Sequence, residues 1–258
     1  MTNPCGGFDL AGVVLHSGSH GDVYDGECCL IEASNRAAAC IPELREKYGV
    51  AEFGDDHPSI SPVCRSFGIS WNDAFPDNER GDADRTRLLG PFITRVLGTR
   101  TTDADEETRA WMATDWLARV HTPAWLRLAG LTAEAEALEA TARIVDAITC
   151  SAAQSALDAA RSRAASARDA AWDAARDAAW AAAWDAAWAA AGAAAGAAAG
   201  AAARDAARDA ARDAARDAAW AAAWAAAGAA LAPTVRALQE SAVELFGRMC
   251  DVGREVAA

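Results

Sequence analysis

From Arg168 to Gly228 every fourth residue is Trp, Gly or Arg, and almost everything between is Ala or Asp. Ala is the strongest helix former. Asp-to-Arg steps three residues apart (Asp205 with Arg208, Asp209 with Arg212, Asp213 with Arg216) add modest support to a helix. Trp, Arg and Gly share the codon form NGG, and Asp and Ala differ only at the middle base. A tandem repeat of four codons would therefore produce the same text without selection on structure.

Angular position separates these two origins. Four residues turn about 400° on an α-helix, so the marked position drifts about 40° per repeat and returns after about 36 residues. Letters changed at random would scatter around the helix. Instead Trp184 and Trp220, Trp188 and Trp224, Gly192 and Gly228, and Arg176 and Arg212 share a phase. With Trp172 at zero, most tryptophans fall at about 80–160°, the glycines at about 200–280° and the arginines between about 320° and 80°. We read the run as a selected helix or helical hairpin with an arginine side, a tryptophan side and a smooth Gly/Ala side. Gly192, Gly196 and Gly200 each weaken it by roughly 1 kcal/mol relative to Ala, so a bend is expected there.

A strip of small residues buries little area per residue and stabilises a contact only over many turns. The expected interaction surface is therefore extended: Trp180, Trp184, Trp188, Gly192, Gly196, Gly200, Trp220 and Trp224. Residues 186–203 carry no charge and contain GxxxG spacing, as transmembrane spans do. Ala and Gly are too weakly apolar to favour insertion, so a membrane role is disfavoured. The formal charge of −13 argues against a nucleic-acid partner, which would require a basic face.

The 258 residues divide by composition into 1–150, a mixed sequence, then the repeat over 151–231 and an amphipathic segment over 232–258. In the first region helices are expected from Gly26 through Cys40, between Pro42 and Gly49, and from Ser61 with Pro62 to Pro76. Pro91 should kink or split the stripe Leu88, Leu89, Phe92, Ile93, Val96, Leu97, with Gly98 ending it. Three more helices follow, with Thr102 or Asp103, Thr122 with Pro123, and Thr132 at their starts. Trp111, Met112, Trp116, Val120, Trp125 and Leu128 are expected in a bundle core. At the far end Val235, Leu238, Ala242, Leu245, Met249, Val252 and Val256 form a heptad seam. Leu238, Leu245 and Met249 would pack on the chain's own helices or pair with a second subunit. The expected class is all-α.

"HSGSH", "DDHPSISPV", "RLLGPFITRVLGTR" and "AWMATDWLARVHTPAWLRLAGL", with the repeat and "LAPTVRALQESAVELFGRM" after it, span nearly the whole chain. In these stretches the sequence resembles a family of actinobacterial and phage proteins with a helical N-terminal domain and an Ala/Trp/Asp/Arg tail. The resemblance implies a source class and supplies no catalytic residue. Here "SNRAAA" at Ser34–Ala39 replaces a more aromatic, glycine-containing stretch.

His20, Cys28, Cys29, His57 and Cys64 are the only cluster with ligand or nucleophile types. A thiol enzyme would use Cys28 or Cys29 at a helix start with His20 or His57 as base. Glu27 and Glu32 beside these thiols would raise their pKa. A metal site would draw on His20, Cys29, His57 and Cys64, but their separations follow no paired zinc spacing. No cofactor is expected. The N-terminus shows no secretory leader, giving a cytoplasmic expectation in which the seven cysteines are mostly thiols. The leading reading is a non-enzymatic assembly protein whose partner is another copy or a host or phage protein. The alternatives are an inhibitor or decoy working through the acidic first region, and a thiol or metal enzyme.

Overall fold

The structure is a computed structural model that describes residues 5, 8–18, 20, 27–51, 54–166 and 229–254. The fold is all-α, with no strand among the described residues. The chain divides into two compact units. Unit 1 comprises Met1–His121, Thr141–Ala153 and Ala237–Ala258; unit 2 comprises Thr122–Ala140 and Gln154–Arg236. Residues 237–258, most of the C-terminal amphipathic segment, belong to unit 1 together with the N-terminal region.

In unit 1, α1 (Leu30–Cys40) is the central helix. Eight of its eleven residues are buried, more than the one face expected. Ala33, Ala37 and Ala38 are small and let neighbours approach closely, and two polar members bond to backbone carbonyls. Ser34 Oγ donates to the Leu30 carbonyl at 2.8 Å, and Asn35 Nδ2 donates to the carbonyls of Gly54 and Asp56. α2 (Pro42–Tyr48) lies between its proline start and Gly49, as expected. α3 (Pro62–Asn72) opens with Ser61 accepting from the Cys64 N–H at 3.1 Å and stops before Pro76.

α4 (Glu79–Leu89) gives way at Gly90–Phe92 to a 3-10 turn, because Pro91 cannot continue an α-helix. α5 (Asp103–Trp116) starts from a capping box between Thr102 and Asp105. It runs directly into a π-helical turn, Leu117–His121, and α6 (Thr122–Leu128) follows without a loop. The expected break before Thr122 is replaced by this widened turn, which accommodates Pro123 one residue later. Gly130, at φ 75°, ends the run. α7 (Thr132–Glu139) is entered from Leu131 with no side-chain cap, so Thr132 is the first helical residue rather than the cap. Helix α8 is described over 147–166 and α9 over 229–251.

The core of unit 1 is completed from its C-terminal end. Leu245, Phe246, Met249 and Cys250 of α9 are fully buried among residues of α1 and α3 and the Leu89–Leu97 turns. Phe246 contacts Phe67, Trp71 and Phe92 with ring centroids 4.9–5.9 Å apart. Burying one such ring stabilises by roughly 1.5–3 kcal/mol, so losing α9 would open the core. The bundle core expected along α5 and α6 is corrected here: Val120 and Leu128 are 41 % exposed, and Met112 and Trp116 only border the core. Arg109 is the buried residue of α5. In unit 2, Leu126, Ala135, Leu138 and Ala160 form a small core of their own.

Candidate functional site

Leading to α1, the His16 N–H donates to the Cys28 carbonyl at 2.9 Å, and several further backbone groups of this stretch bond to side chains. The Leu15 N–H donates to Thr86 Oγ1, the Gly18 N–H donates to Asp73 Oδ1, and the His16 carbonyl accepts from Asn72 Nδ2 at 2.8 Å. Arg85, fully buried, donates to the carbonyls of Leu15 and Asn72 and pairs with Asp82. Asn72 Oδ1 also accepts from the first N–H of α1, at Leu30. These bonds fix the start of α1 against the preceding segment.

Upon that base stand Cys29, Glu32 and His20. Cys29 caps α1, and Glu32 reaches back to the Cys29 N–H at 2.8 Å, closing a capping box with a thiol in the place usually held by a hydroxyl. Glu32 Oε1 accepts from the His20 N–H at 2.8 Å, and Oε2 lies 2.9 Å from His20 Nδ1. Glu32 is fully buried. Burial pushes its carboxyl up, but the hydrogen bonds from Cys29 and His20 outweigh this and hold it below the ordinary carboxylate range. With Glu32 ionised, Nδ1 of His20 carries a proton and Nε2 faces the exposed Glu27 at 3.7 Å.

The Cys29 thiol is pushed up to about 12, first by burial and then by the neighbouring Glu32 charge. A nucleophilic cysteine needs the opposite shift. The arrangement stores a thiol and anchors the His20 segment; Cys28, also buried, points its sulfur at the Val14 carbonyl.

The other candidates lie in different surroundings. His57 is buried, its Nδ1 accepting from the Ser59 N–H at 3.1 Å, and burial lowers its pKa so that it stays neutral. Cys64 is hydrogen-bonded to Cys250. Of the residues on which a metal site would draw, His20 and Cys29 share Glu32, His57 is bonded to Ser59 and Cys64 to Cys250. No group of three or more potential ligands is assembled among the described residues. Ser59 holds Nδ1 of His57 through both its N–H and its hydroxyl. Two of the seven cysteines are not thiols: Cys5 and Cys40 form a disulfide.

Of the expected interaction residues, Trp180, Trp184, Trp188, Gly192, Gly196, Gly200, Trp220 and Trp224 lie outside the described residues, as does the stretch 186–203. Leu238, Leu245 and Met249 are buried within unit 1, so their seam is covered by the chain itself and offers no face to a partner. Among the described residues no helix is long and apolar enough to cross a membrane.

Sequence reasoning missed Asn72, Arg85, Glu106 and Arg109, which organise the polar interior. The signal was an acidic residue three before each arginine, Asp82 with Arg85 and Glu106 with Arg109. That spacing is also common on solvated helix faces, and so is not diagnostic. No family model, curated protein or solved structure matches the chain.

Proposed function

We propose that the protein is a non-enzymatic assembly protein that self-associates through the Trp and Gly/Ala sides of its repeat. The observation that carries this reading is the repeat's place in the chain. The chain leaves unit 1 after Ala153 and re-enters it at Ala237, so the repeat belongs to an insertion in a body whose core is completed by α9. A segment tethered at both ends loses less freedom on ordering against a partner than a free tail does. The angular sorting of Trp, Gly and Arg gives it distinct sides to present.

The test is light scattering on size-exclusion chromatography of the intact chain and of a variant with Trp180, Trp184, Trp188, Trp220 and Trp224 changed to Ala. The intact chain is expected at twice 26.8 kDa or more, and the variant at the mass of a single chain. Two monomers, or two oligomers of equal mass, overturn the reading. Truncation at residue 150 is not a suitable comparison, because it removes Leu245, Phe246, Met249 and Cys250 from the core.

A further inference from the structure

Helices α3 and α9 meet with their sequences running in opposite directions. Phe67 stacks on Phe246 at 5.7 Å between centroids, and a Cβ placed on Gly68 would lie 3.4 Å from Phe246 Cζ. One helical turn back along α3 from Gly68 is Cys64; one turn on along α9 from Phe246 is Cys250. The register that seats Phe246 against Gly68 thus brings the two thiols together, hydrogen-bonded to each other and both fully buried.

Their surroundings are polar and ordered. The Cys64 N–H donates to Ser61 Oγ, and Ser61 in turn donates to Glu106. Arg109 pairs with Glu106 at 2.8 Å and donates to the carbonyls of Met249 and Val252, on either side of Cys250 in sequence.

We propose that Cys64 and Cys250 are a dithiol oxidised by hydrogen peroxide to a disulfide that ties α3 to α9. Cys64 is the attacking sulfur. Cys64 lies in the first turn of α3, where the N-terminal end of the helix dipole favours a thiolate, and the Arg109 charge acts in the same direction. In the first step the Cys64 sulfur bonds to one peroxide oxygen as the O–O bond breaks, giving a sulfenic acid and one water. In the second the Cys250 sulfur bonds to the Cys64 sulfur as the S–O bond breaks, and the departing hydroxide takes the Cys250 proton as a second water. Two thiols are oxidised by two electrons and one peroxide is reduced. Peroxide is close to water in size and reaches a buried pair through local opening. The product links residues 64 and 250 across the whole repeat and holds the returning helix on unit 1.

The test treats the intact chain with a several-fold excess of hydrogen peroxide, blocks remaining thiols with N-ethylmaleimide, and maps peptides by mass spectrometry without reduction. Two outcomes are expected: a Cys64–Cys250 linked peptide that dithiothreitol removes, and a rise in the thermal midpoint of the oxidised wild-type chain. In Cys250→Ser, oxidation should stop at a Cys64 sulfenic acid trapped by dimedone. Oxidation confined to Cys29 or Cys150 while Cys64 and Cys250 remain alkylatable overturns the proposal. So does a linked peptide that forms only after denaturation, a readout on wild-type protein that does not depend on how the variant folds.

Discussion

Arg109 Nε donates to the Met249 carbonyl at 3.0 Å, joining residues 140 apart in the chain. The same guanidinium donates to the Val252 carbonyl at 2.7 Å and pairs with Glu106, and the residue is fully buried. A helix C-terminus leaves carbonyls without partners and carries partial negative charge, so a buried cation there is both a cap and a counter-charge. Arg85 does the same for α3 through the Asn72 carbonyl at 2.7 Å.

Arg109→Ala leaves Glu106 and two carbonyls of the α9 end without their donor. It should lower stability by about 3–5 kcal/mol, the usual cost of removing one partner of a buried ion pair. Arg109→Lys keeps the charge but not the fork and should fall between. Urea unfolding would measure both; an Ala variant within 1 kcal/mol of wild type, about the worth of a surface pair, would show that the contact contributes little.

Replacing Glu32 with Gln removes the charge and turns one of the two acceptor oxygens that serve Cys29 and His20 into a donor, so their N–H groups can no longer both be accepted as now; it should cost about 1–3 kcal/mol. The Cys29 thiol should titrate below its present value of about 12, because the adjacent negative charge is gone, while burial still keeps it above an ordinary thiol. The pH dependence of iodoacetamide labelling at Cys29 measures this. An unchanged or higher midpoint would mean that Glu32 does not set the thiol's state.

The same substitution at two glycines should have opposite signs. A Cβ at Gly81 would lie 1.8 Å from the Pro76 carbonyl oxygen, where the Gly81 N–H is held by Asn78 Oδ1 at 2.9 Å. Gly81→Ala is expected to cost about 1–3 kcal/mol through overpacking. A Cβ at Gly247, inside α9, meets only the flexible end of Arg95, at 3.4 Å. Gly247→Ala should stabilise by about 0.5–1 kcal/mol through helix propensity. Thermal midpoints that move the same way for both would contradict this account.

Acidification should destabilise the fold in two stages. Burial lowers the pKa of His57 and His121, so the unfolded chain binds more protons than the folded one between the folded value and about 6.5, and stability falls as pH drops through that window. Glu32 has a depressed carboxyl pKa, so its contribution is present above the unfolded value and is lost as pH falls through the folded one. Urea midpoints from pH 7.5 downward should decline, less steeply near 6 in His57→Gln. A midpoint that rises between pH 7.5 and 6 would refute the assignment.

The local elements were legible because their signals are local. Ser61 with Pro62, Thr102 before its acidic turn, Pro91 and Gly130 each act on neighbours within a turn, and each does so in the structure. The candidate site was legible in part: Cys29 at a helix start and Glu32 raising its pKa follow from spacing along one helix.

What remained hidden depends on residues far apart in the chain. The sequence by itself determined an all-α chain and most of its helix boundaries, because propensity and capping are properties of a few consecutive residues. Only the tertiary structure decided that the seam of Leu238, Leu245 and Met249 closes on its own unit, that Arg109 caps a helix 140 residues away, and that Cys64 meets Cys250. A heptad records that one face must be buried, not which surface covers it, and a buried charge finds its partners only when helices distant in sequence are packed together.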